Sequence, residues 1–265
     1  MGIFIIKDML SFNHVIWVSM ALFFNVGGLA AKEVNITIGS FLPPYVISSE
    51  DSGIEVDIIR SAFKAVGHTV SFNYVPTGRL LYFVKNNPFD GVVENSSYDM
   101  SKELGGATYT SNTIISLQNV VIALKKKQLI INEVEDLSTL KIIAFQHASK
   151  YLGQDFLSVI HNNPEYKEHA HQHLQIRQLY ANKVDAVITD KRIFMYWRKL
   201  AYNKGQLLEE SITESLIIYP LFIPSARNLK TLDKKINDDF NTGLDEIKQN
   251  GTYQAILDKY KDGNL

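Results

Sequence analysis

Apolar and polar residues alternate along the chain with two different periods, and their order predicts a layered α/β protein. Segments of period two are typical of half-buried strands, whereas apolar residues spaced three and four apart are typical of helices. In the first part of the chain these are strands over 34–39, 69–75 and 89–93 and helices over 54–66 and 78–86. Strand, helix, strand, helix, strand in this order indicates a mainly parallel sheet covered by helices.

The same alternation restarts after a basic connector at 125–128. The second series predicts strands over 140–145 and 184–189 and helices over 148–160, 174–181 and 191–202. Two further helices are expected at about 229–249 and 253–260. The sequence therefore predicts two α/β units.

Two long apolar, β-rich runs separate the units, at residues 114–124 and 216–223. If both runs cross between the units, the second unit is inserted into the first, and the C-terminal helices pack back on the N-terminal lobe. Lobe 1 is then residues 32–120 with 220–265, and lobe 2 is residues 121–219. A double crossing makes a hinge, and the cleft between the lobes can close on a small ligand.

The N-terminus predicts export. Residues 15–26 are mostly apolar, Lys7 precedes them and small residues follow at 27–31. Twelve helical residues span about 18 Å, less than the roughly 30 Å of a bilayer core, so we interpret residues 1–31 as a secretory signal peptide. A buried N-terminal helix or an uncleaved anchor is the alternative. The expected location is the periplasm.

Composition narrows the possible functions. The chain has 265 residues, of which 46% are hydrophobic and 21% are charged, as in folded soluble proteins. Basic and acidic residues number 27 and 28, so no basic excess points to nucleic acid. The absence of cysteine excludes disulfides, thiolate metal sites and a thiol nucleophile. Motifs of serine hydrolases, P-loop enzymes and zinc proteases are also missing, and no cofactor is expected.

Several local motifs resemble the family 3 periplasmic solute-binding proteins of ABC transporters. The motifs are GIEVD at 53–57, NKVDAVITD at 182–190, and QNGTY at 249–253 followed by the segment 256–260. The resemblance covers the mature chain and implies the two-lobed type II periplasmic binding fold. It also implies a monomer without catalytic residues, which binds a small polar solute, such as an amino acid, and delivers it to an ABC permease in the inner membrane.

Asp190 is the first candidate ligand contact. It follows a buried-looking strand and precedes a helix, at the strand end where open α/β sheets bind ligands. The resemblance implies that its carboxylate binds a ligand ammonium group, and capping of the following helix is the alternative. The family's carboxylate-binding arginine is missing, since Met100 aligns with it and Lys102 lies nearby. A standard α-carboxylate gripped by an arginine is therefore not expected at the other end of the ligand.

Polar residues after two other strands are further candidates. Arg79 lies between the second strand and its helix, where it is either a ligand contact or a solvated side chain. Glu94 follows the third strand and is expected to pair with Arg79, bind a ligand cation or face solvent. Asn95 and Ser97 of the same segment complete this group.

Aromatic and imidazole side chains supply the remaining candidates. Tyr45 and Tyr109 are expected as cleft walls or as core residues, because aromatic rings give rigid apolar surface with a polar edge. His147 follows the strand at 140–145 and is a further cleft-edge candidate. The histidines at 169, 171 and 173 are interpreted as one face of a polar surface strand, with zinc binding as a minor alternative.

Two other functions remain open on the same fold. One is a dehydratase of the cyclohexadienyl type, with Glu94 as general acid. The other is a sensor subunit that reports solute occupancy to a membrane kinase.

Overall fold

A computed structural model describes residues 31–261, so the predicted signal peptide lies almost entirely outside the described residues. In chain order the strands are β1 (Glu33–Gly39), β2 (Phe41–Leu42), β3 (Val46–Ile47), β4 (Thr69–Val75), β5 (Gly91–Asn95), β6 (Tyr109–Leu117), β7 (Asn119–Leu124), β8 (Ile142–Phe145), β9 (Tyr166–His169), β10 (Ala186–Asp190), β11 (Leu216–Tyr219) and β12 (Ser225–Thr231). The helices are α1 (Ile54–Ala65), α2 (Leu80–Asn86), α3 (Met100–Leu104), α4 (Ala148–Tyr151), α5 (Gln154–His161), α6 (Gln172–Tyr180), α7 (Lys191–Asn203), α8 (Glu209–Thr213), α9 (Lys234–Gln249) and α10 (Thr252–Lys259). Within this range no helix has the length and apolar character needed to cross a bilayer.

Lobe 1 is a five-stranded sheet with helices on both faces. Its strand order is β4-β1-β5-β12-β6, with β1 parallel to β4 and β5, and β12 antiparallel to both of its neighbours. Helices α1, α9 and α10 cover one face, where Ile59 and Phe240 are fully buried. The smaller helices α2 and α3 cover the other face and bury Leu80 and Met100. Both sides of the sheet are therefore dry, as its apolar strands predict.

Lobe 2 repeats this plan with the strand order β11-β7-β10-β8-β9. Strands β8, β9 and β10 are parallel, while β7 is antiparallel to β10 and β11. Helix α5 packs on one face through Phe156, and α6 and α7 pack on the other through Ile176 and Phe194. The predicted α/β class and two-lobed architecture are confirmed.

The chain crosses between the sheets twice. The first crossing is the single residue Gln118, between the last residue of β6 and the first of β7. The second is the irregular segment 220–224, which joins β11 to β12. Both crossings lie inside or beside the two apolar runs noted in the sequence. The division at 120/121 and 219/220 into units that move separately stays a prediction.

The C-terminal helices pack on lobe 1, as the double crossing predicts. The hydroxyl of Tyr260, just after α10, accepts a hydrogen bond from the backbone N–H of Gly53 at 2.9 Å. The same hydroxyl donates to Asp57 at 2.8 Å, and Lys259 pairs with Asp57 at 2.8 Å. The end of the chain thus holds the start of α1 in place.

Three local predictions were wrong. Residues 229–231 belong to strand β12, and α9 begins only at Lys234. The helix predicted over 148–160 is two helices, because Gly153 between them has a φ of 99°, outside helical geometry. The histidines 169, 171 and 173 do not share one strand, since β9 ends at the first and the third lies in α6.

Candidate functional site

The carboxyl ends of the parallel strands in both lobes lie beside the hinge. In lobe 1 the last residue of β5, Asn95, is paired with Arg227 near the start of β12. In lobe 2 the last residue of β10, Asp190, is paired with Asn119, the first residue of β7. Because both neighbours adjoin a crossing, these strand ends, where open α/β sheets generally bind ligands, meet in the region between the two sheets.

Asp190 lies at the junction of the two lobes and is only 2% exposed. Its Oδ1 accepts hydrogen bonds from the backbone N–H groups of Arg192 at 2.9 Å and Ile193 at 3.1 Å, so it caps α7. The hydroxyl of Tyr45, from lobe 1, donates to the same oxygen at 2.9 Å. Oδ2 accepts one bond, from the backbone N–H of Gln118 at 2.6 Å. The predicted cap is confirmed, and Oδ2 retains capacity for a second donor.

Burial raises the pKa values of both Asp190 and Tyr45 at this junction. Loss of water raises the pKa of Asp190 above its usual range, although its hydrogen bonds act in the opposite direction. Burial and the neighbouring carboxylate raise the pKa of Tyr45 well above that of a free tyrosine. Tyr45 is fully buried in the lobe 1 core, so its ring forms core rather than an open cleft wall, while its hydroxyl reaches lobe 2.

Gln118 joins both crossings to this junction. Its backbone N–H binds Asp190, and its carbonyl oxygen accepts from the backbone N–H of Lys191 at 3.1 Å. Its side-chain amide donates to the carbonyl of Phe222, in the second crossing, at 3.1 Å. One residue therefore connects the hinge, the cap of α7 and the return strand.

A cluster of three charged groups, two of them buried and one partly buried, lies at the lobe 1 side of the cleft. Arg227 binds Glu55 through Nε at 2.9 Å and a terminal nitrogen at 3.3 Å, and the Glu55 side chain is fully buried. Glu94 is 4.0 Å from Arg227 and accepts one long bond of 3.3 Å from the N–H of Asn95. Burial raises the pKa of Glu94, and Arg227 offsets this only in part. Glu94 is thus a partly buried carboxylate with few partners.

Arg227 was not predicted from the sequence. It lies in β12, a strand whose polar residues conceal its burial, and the sequence predicted a helix from residue 229. Its pairing with Glu55, which is 172 positions away, has no local signal.

The other lobe 1 candidates are spread out. Arg79 and Ser97 are exposed at the strand ends of the cleft side, and the Oδ1 of Asn95 accepts a bond of 3.4 Å from Ser225. Tyr109 begins β6, beside Thr231 and the start of β5, at the end of the sheet far from the hinge. Tyr109 therefore does not join the other candidates.

His147 contributes its backbone, while its side chain is exposed. It lies in the turn between β8 and α4 with a left-handed φ of 65°. Its N–H donates to the carboxylate of Glu168 at 2.6 Å, and the N–H of Ser149 donates to the other oxygen at 2.8 Å. Glu168, at the cleft end of β9, was not predicted as a site residue.

A row of aromatic and imidazole rings passes from lobe 1 to lobe 2. Phe41 of lobe 1 lies 6.0 Å, ring centre to ring centre, from Trp197 of lobe 2. The imidazoles of His173, His171 and His169 follow Trp197 at 5.6–5.7 Å between ring centres, each tilted relative to the next. Burial and the neighbouring imidazoles lower the pKa of His173. In residues 31–261 no group of three or more possible ligands is arranged to hold a metal ion.

Comparisons with known proteins agree with this geometry. Residues 34–263 match the family described as bacterial extracellular solute-binding proteins, family 3. The arginine-binding periplasmic protein of Mannheimia haemolytica is 23% identical over 226 residues, covering 83% of this chain and 88% of the relative. The ABC transporter arginine-binding protein 1 of Escherichia coli K12 is 23% identical over 242 residues, covering 89% and 94%. The solved structure of an ancestral cationic amino acid solute-binding protein has a TM-score of 0.65 at 14% identity, covering 86% of this chain and 95% of the other.

Proposed function

The chain belongs to the bacterial extracellular solute-binding proteins, family 3, and from this premise we propose that it captures a small cationic amino acid or related compound between its lobes. It then delivers this solute to an ABC permease in the inner membrane. The proposed location is the periplasm, and the proposed working form is a monomer that carries no cofactor.

The observation that carries this proposal is the junction around Asp190. A buried carboxylate binds lobe 1 through Tyr45, the hinge through Gln118 and lobe 2 through its own helix. A ligand amine bound at Oδ2 therefore contacts the group that connects all three parts. Such a ligand stabilises the closed state because it interacts with both lobes only there.

The charge of the cleft favours a cationic ligand. Glu94 lies on the lobe 1 side, partly buried with Arg227 at 4.0 Å, and the buried Asp190 lies on the lobe 2 side near Arg192. Carboxylates retained in dry surroundings cost free energy unless a cation or several donors face them. The names of the two curated relatives, both arginine-binding proteins, support the same class of ligand.

Calorimetric titration of the ligand-free protein tests this proposal. We expect arginine, lysine, ornithine or their amine derivatives to bind, and glutamate not to bind. Asp190→Asn should weaken binding by about 30-fold or more, since losing one partner of a buried charge contact costs roughly 2–5 kcal/mol. Arg79→Ala, which removes an exposed cation, should leave the affinity for cations unchanged.

Tight binding of glutamate, or undiminished cation binding by Asp190→Asn, would contradict the proposal. Because Asp190 also caps α7, the unfolding midpoint of each variant is measured in parallel, and Tyr45→Phe serves as a variant that keeps the carboxylate. The dehydratase alternative is tested by incubation with prephenate or arogenate, which a binding protein leaves unchanged. Complex formation with a permease rather than a sensor kinase distinguishes the two possible partners.

A further inference from the structure

We propose that Glu168 is a specificity-determining residue that disfavours ligands with an α-carboxylate, so that the ligand is an amine or guanidine without one. This inference rests on the proposed function, because it narrows the class of cation that the same cleft binds. It concerns a side chain that neither the sequence motifs nor the family resemblance singled out.

Glu168 lies in β9, the edge strand of the lobe 2 sheet. Strand β9 is parallel to β8 and paired with it from Ile142 to Phe145, and β8 is parallel to β10, which ends at Asp190. Glu168 is the last residue but one of β9, opposite Ala144. Its carboxylate therefore lies at the same edge of the sheet as the junction.

The carboxylate of Glu168 occupies hydrogen-bond donors that an anionic ligand could otherwise use. Oε2 accepts from the N–H of His147 at 2.6 Å, and Oε1 accepts from the N–H of Ser149 at 2.8 Å and the hydroxyl of Tyr166 at 2.9 Å. Two converging backbone N–H groups at a strand end are good partners for an anion. Here the chain's own carboxylate uses both, so a ligand carboxylate finds these donors taken.

The hydrogen-bond partners of Glu168 favour its ionised form. Partial burial of the carboxyl acts to raise its pKa, but the hydrogen bonds from Ser149, Tyr166 and His147 outweigh this, and its pKa is lowered. Glu168 is therefore a fixed negative charge at neutral pH. A second carboxylate brought beside it is repelled in the partly dry cleft.

The charged side chains at the strand ends are compensated to different degrees. Three carboxylates lie there, those of Glu94, Glu168 and Asp190. Arg227 is 4.0 Å from Glu94, and the charge of Arg192 acts to lower the pKa of Asp190. In the described part of the chain, the hydrogen-bond donors to Glu168 are two backbone N–H groups and a hydroxyl. The position aligned with an arginine in the related family holds Met100, whose side chain is buried in the core under α3. The charge of Glu168 is therefore balanced by dipoles rather than by a cation, so it repels a ligand carboxylate and attracts an amine.

The experiment compares ligand pairs that differ only in the α-carboxylate. The pairs are arginine with agmatine, lysine with cadaverine, and ornithine with putrescine, each titrated calorimetrically into the wild-type protein. We expect the decarboxylated member of the best-bound pair to bind at least about tenfold more tightly. Equal or tighter binding of the amino acid would overturn the inference and leave the proposed cation binding intact.

Glu168→Ala tests the assigned residue. Removing the charge and freeing the two N–H groups should reduce the preference for the decarboxylated ligand by about tenfold. Glu165→Ala removes a half-exposed glutamate just before β9 and is the matched control, which should keep the wild-type preference. Tyr166→Phe removes one donor but keeps the charge, so it should also keep the preference.

The outcomes separate the two proposals. If no cation of any pair binds, the proposed function fails and the inference fails with it. If cations bind but the preference is reversed or absent in the wild type, only the inference fails. If the preference is present but unchanged in a folded Glu168→Ala protein, the charge balance of the cleft, and not Glu168, determines it, and the assignment is wrong.

Discussion

At the scale of single residues, charged side chains that are shielded from solvent differ in how completely they are paired. Glu55 is fully buried and held by two nitrogens of Arg227, so its charge is compensated. Glu94, nearby, accepts one long hydrogen bond and is 4.0 Å from the same guanidinium. Removing one partner of the paired charge leaves the other uncompensated, whereas the weakly paired charge is available to a ligand.

Glu94→Gln should change the free energy of unfolding in a pH-dependent way. The pKa of Glu94 is raised by burial, so the folded state binds a proton more tightly than the unfolded state does. Its stabilising contribution is therefore present below the unfolded pKa of about 4.3 and is lost as pH rises through the higher folded pKa. Relative to wild type, we expect Glu94→Gln to be unchanged near pH 4 and more stable above neutrality, by about 1 kcal/mol.

Urea unfolding of both proteins across this pH range measures the effect. Glu246→Gln, an exposed glutamate on α9, is the matched control and should show no pH-dependent gain. A gain for Glu94→Gln that grows as the pH falls has the wrong sign for a raised pKa and would refute the argument.

At the scale of elements, close approach between helices fixes lobe 1. Helices α1 and α9 pack on the same face of the sheet, with Phe63 and Phe240 in contact at 5.2 Å between ring centres. Gly243 of α9 lies directly over α1, and a methyl group there would overlap the carbonyl of Ala62. Glycine is needed at this position by the neighbouring backbone, not by its own conformation.

Gly243→Ala should therefore destabilise the protein despite the better helix propensity of alanine. Propensity alone favours alanine by about 1 kcal/mol, but displacing a backbone oxygen in a packed core outweighs this gain. We expect a net loss of about 2 kcal/mol in the free energy of unfolding. Urea unfolding is the measurement, and Gly106→Ala, which meets no neighbouring atom, is the control. Unchanged or increased stability of Gly243→Ala would show that α1 and α9 are packed less closely.

At the scale of the whole molecule, two short crossings join two lobes, and α7 of lobe 2 packs on the core of lobe 1 through Ile193 and Trp197. Each sheet is covered by its own helices, and the chain passes between them at Gln118 and at 220–224. Hydrogen bonds of Gln118, Tyr45 and Asp190 connect these passages. Rotation of the lobes about these crossings would leave each sheet with its own helices and change the packing of Ile193 and Trp197.

Ligand should therefore reduce the radius of gyration in solution. We expect small-angle scattering with saturating ligand to show a more compact particle, because the closed state makes contacts with the ligand from both lobes. Tyr45→Phe, which loses the bond from lobe 1 to Asp190, should be more open without ligand. Tyr82→Phe, at an exposed tyrosine, is the control. Superimposable curves with and without a ligand that calorimetry shows to bind would contradict hinge closure.

The sequence by itself determined the elements whose hydrophobic pattern is strong and local. Strand β4, helices α1, α7 and α10, and the two crossing regions are close to their predicted positions, because their buried residues repeat at the period of the element. The cap at Asp190 was also visible, since a capping residue acts on the next few N–H groups along the chain. The two apolar runs indicated two lobes joined twice, and the family motifs implied the same fold.

Tertiary structure alone decided which polar groups meet. Strand β12 escaped detection because most of its residues are polar, and the polar strand predicted through residues 169–173 lies earlier, at β9. Glu55 with Arg227, Tyr45 with Asp190, and Glu168 with the turn at His147 are separated by 172, 145 and 21 positions. No local period encodes such contacts, because they depend on the register of strands and on how the lobes are joined. The candidate cleft therefore became definable only once both sheets had been placed about the hinge.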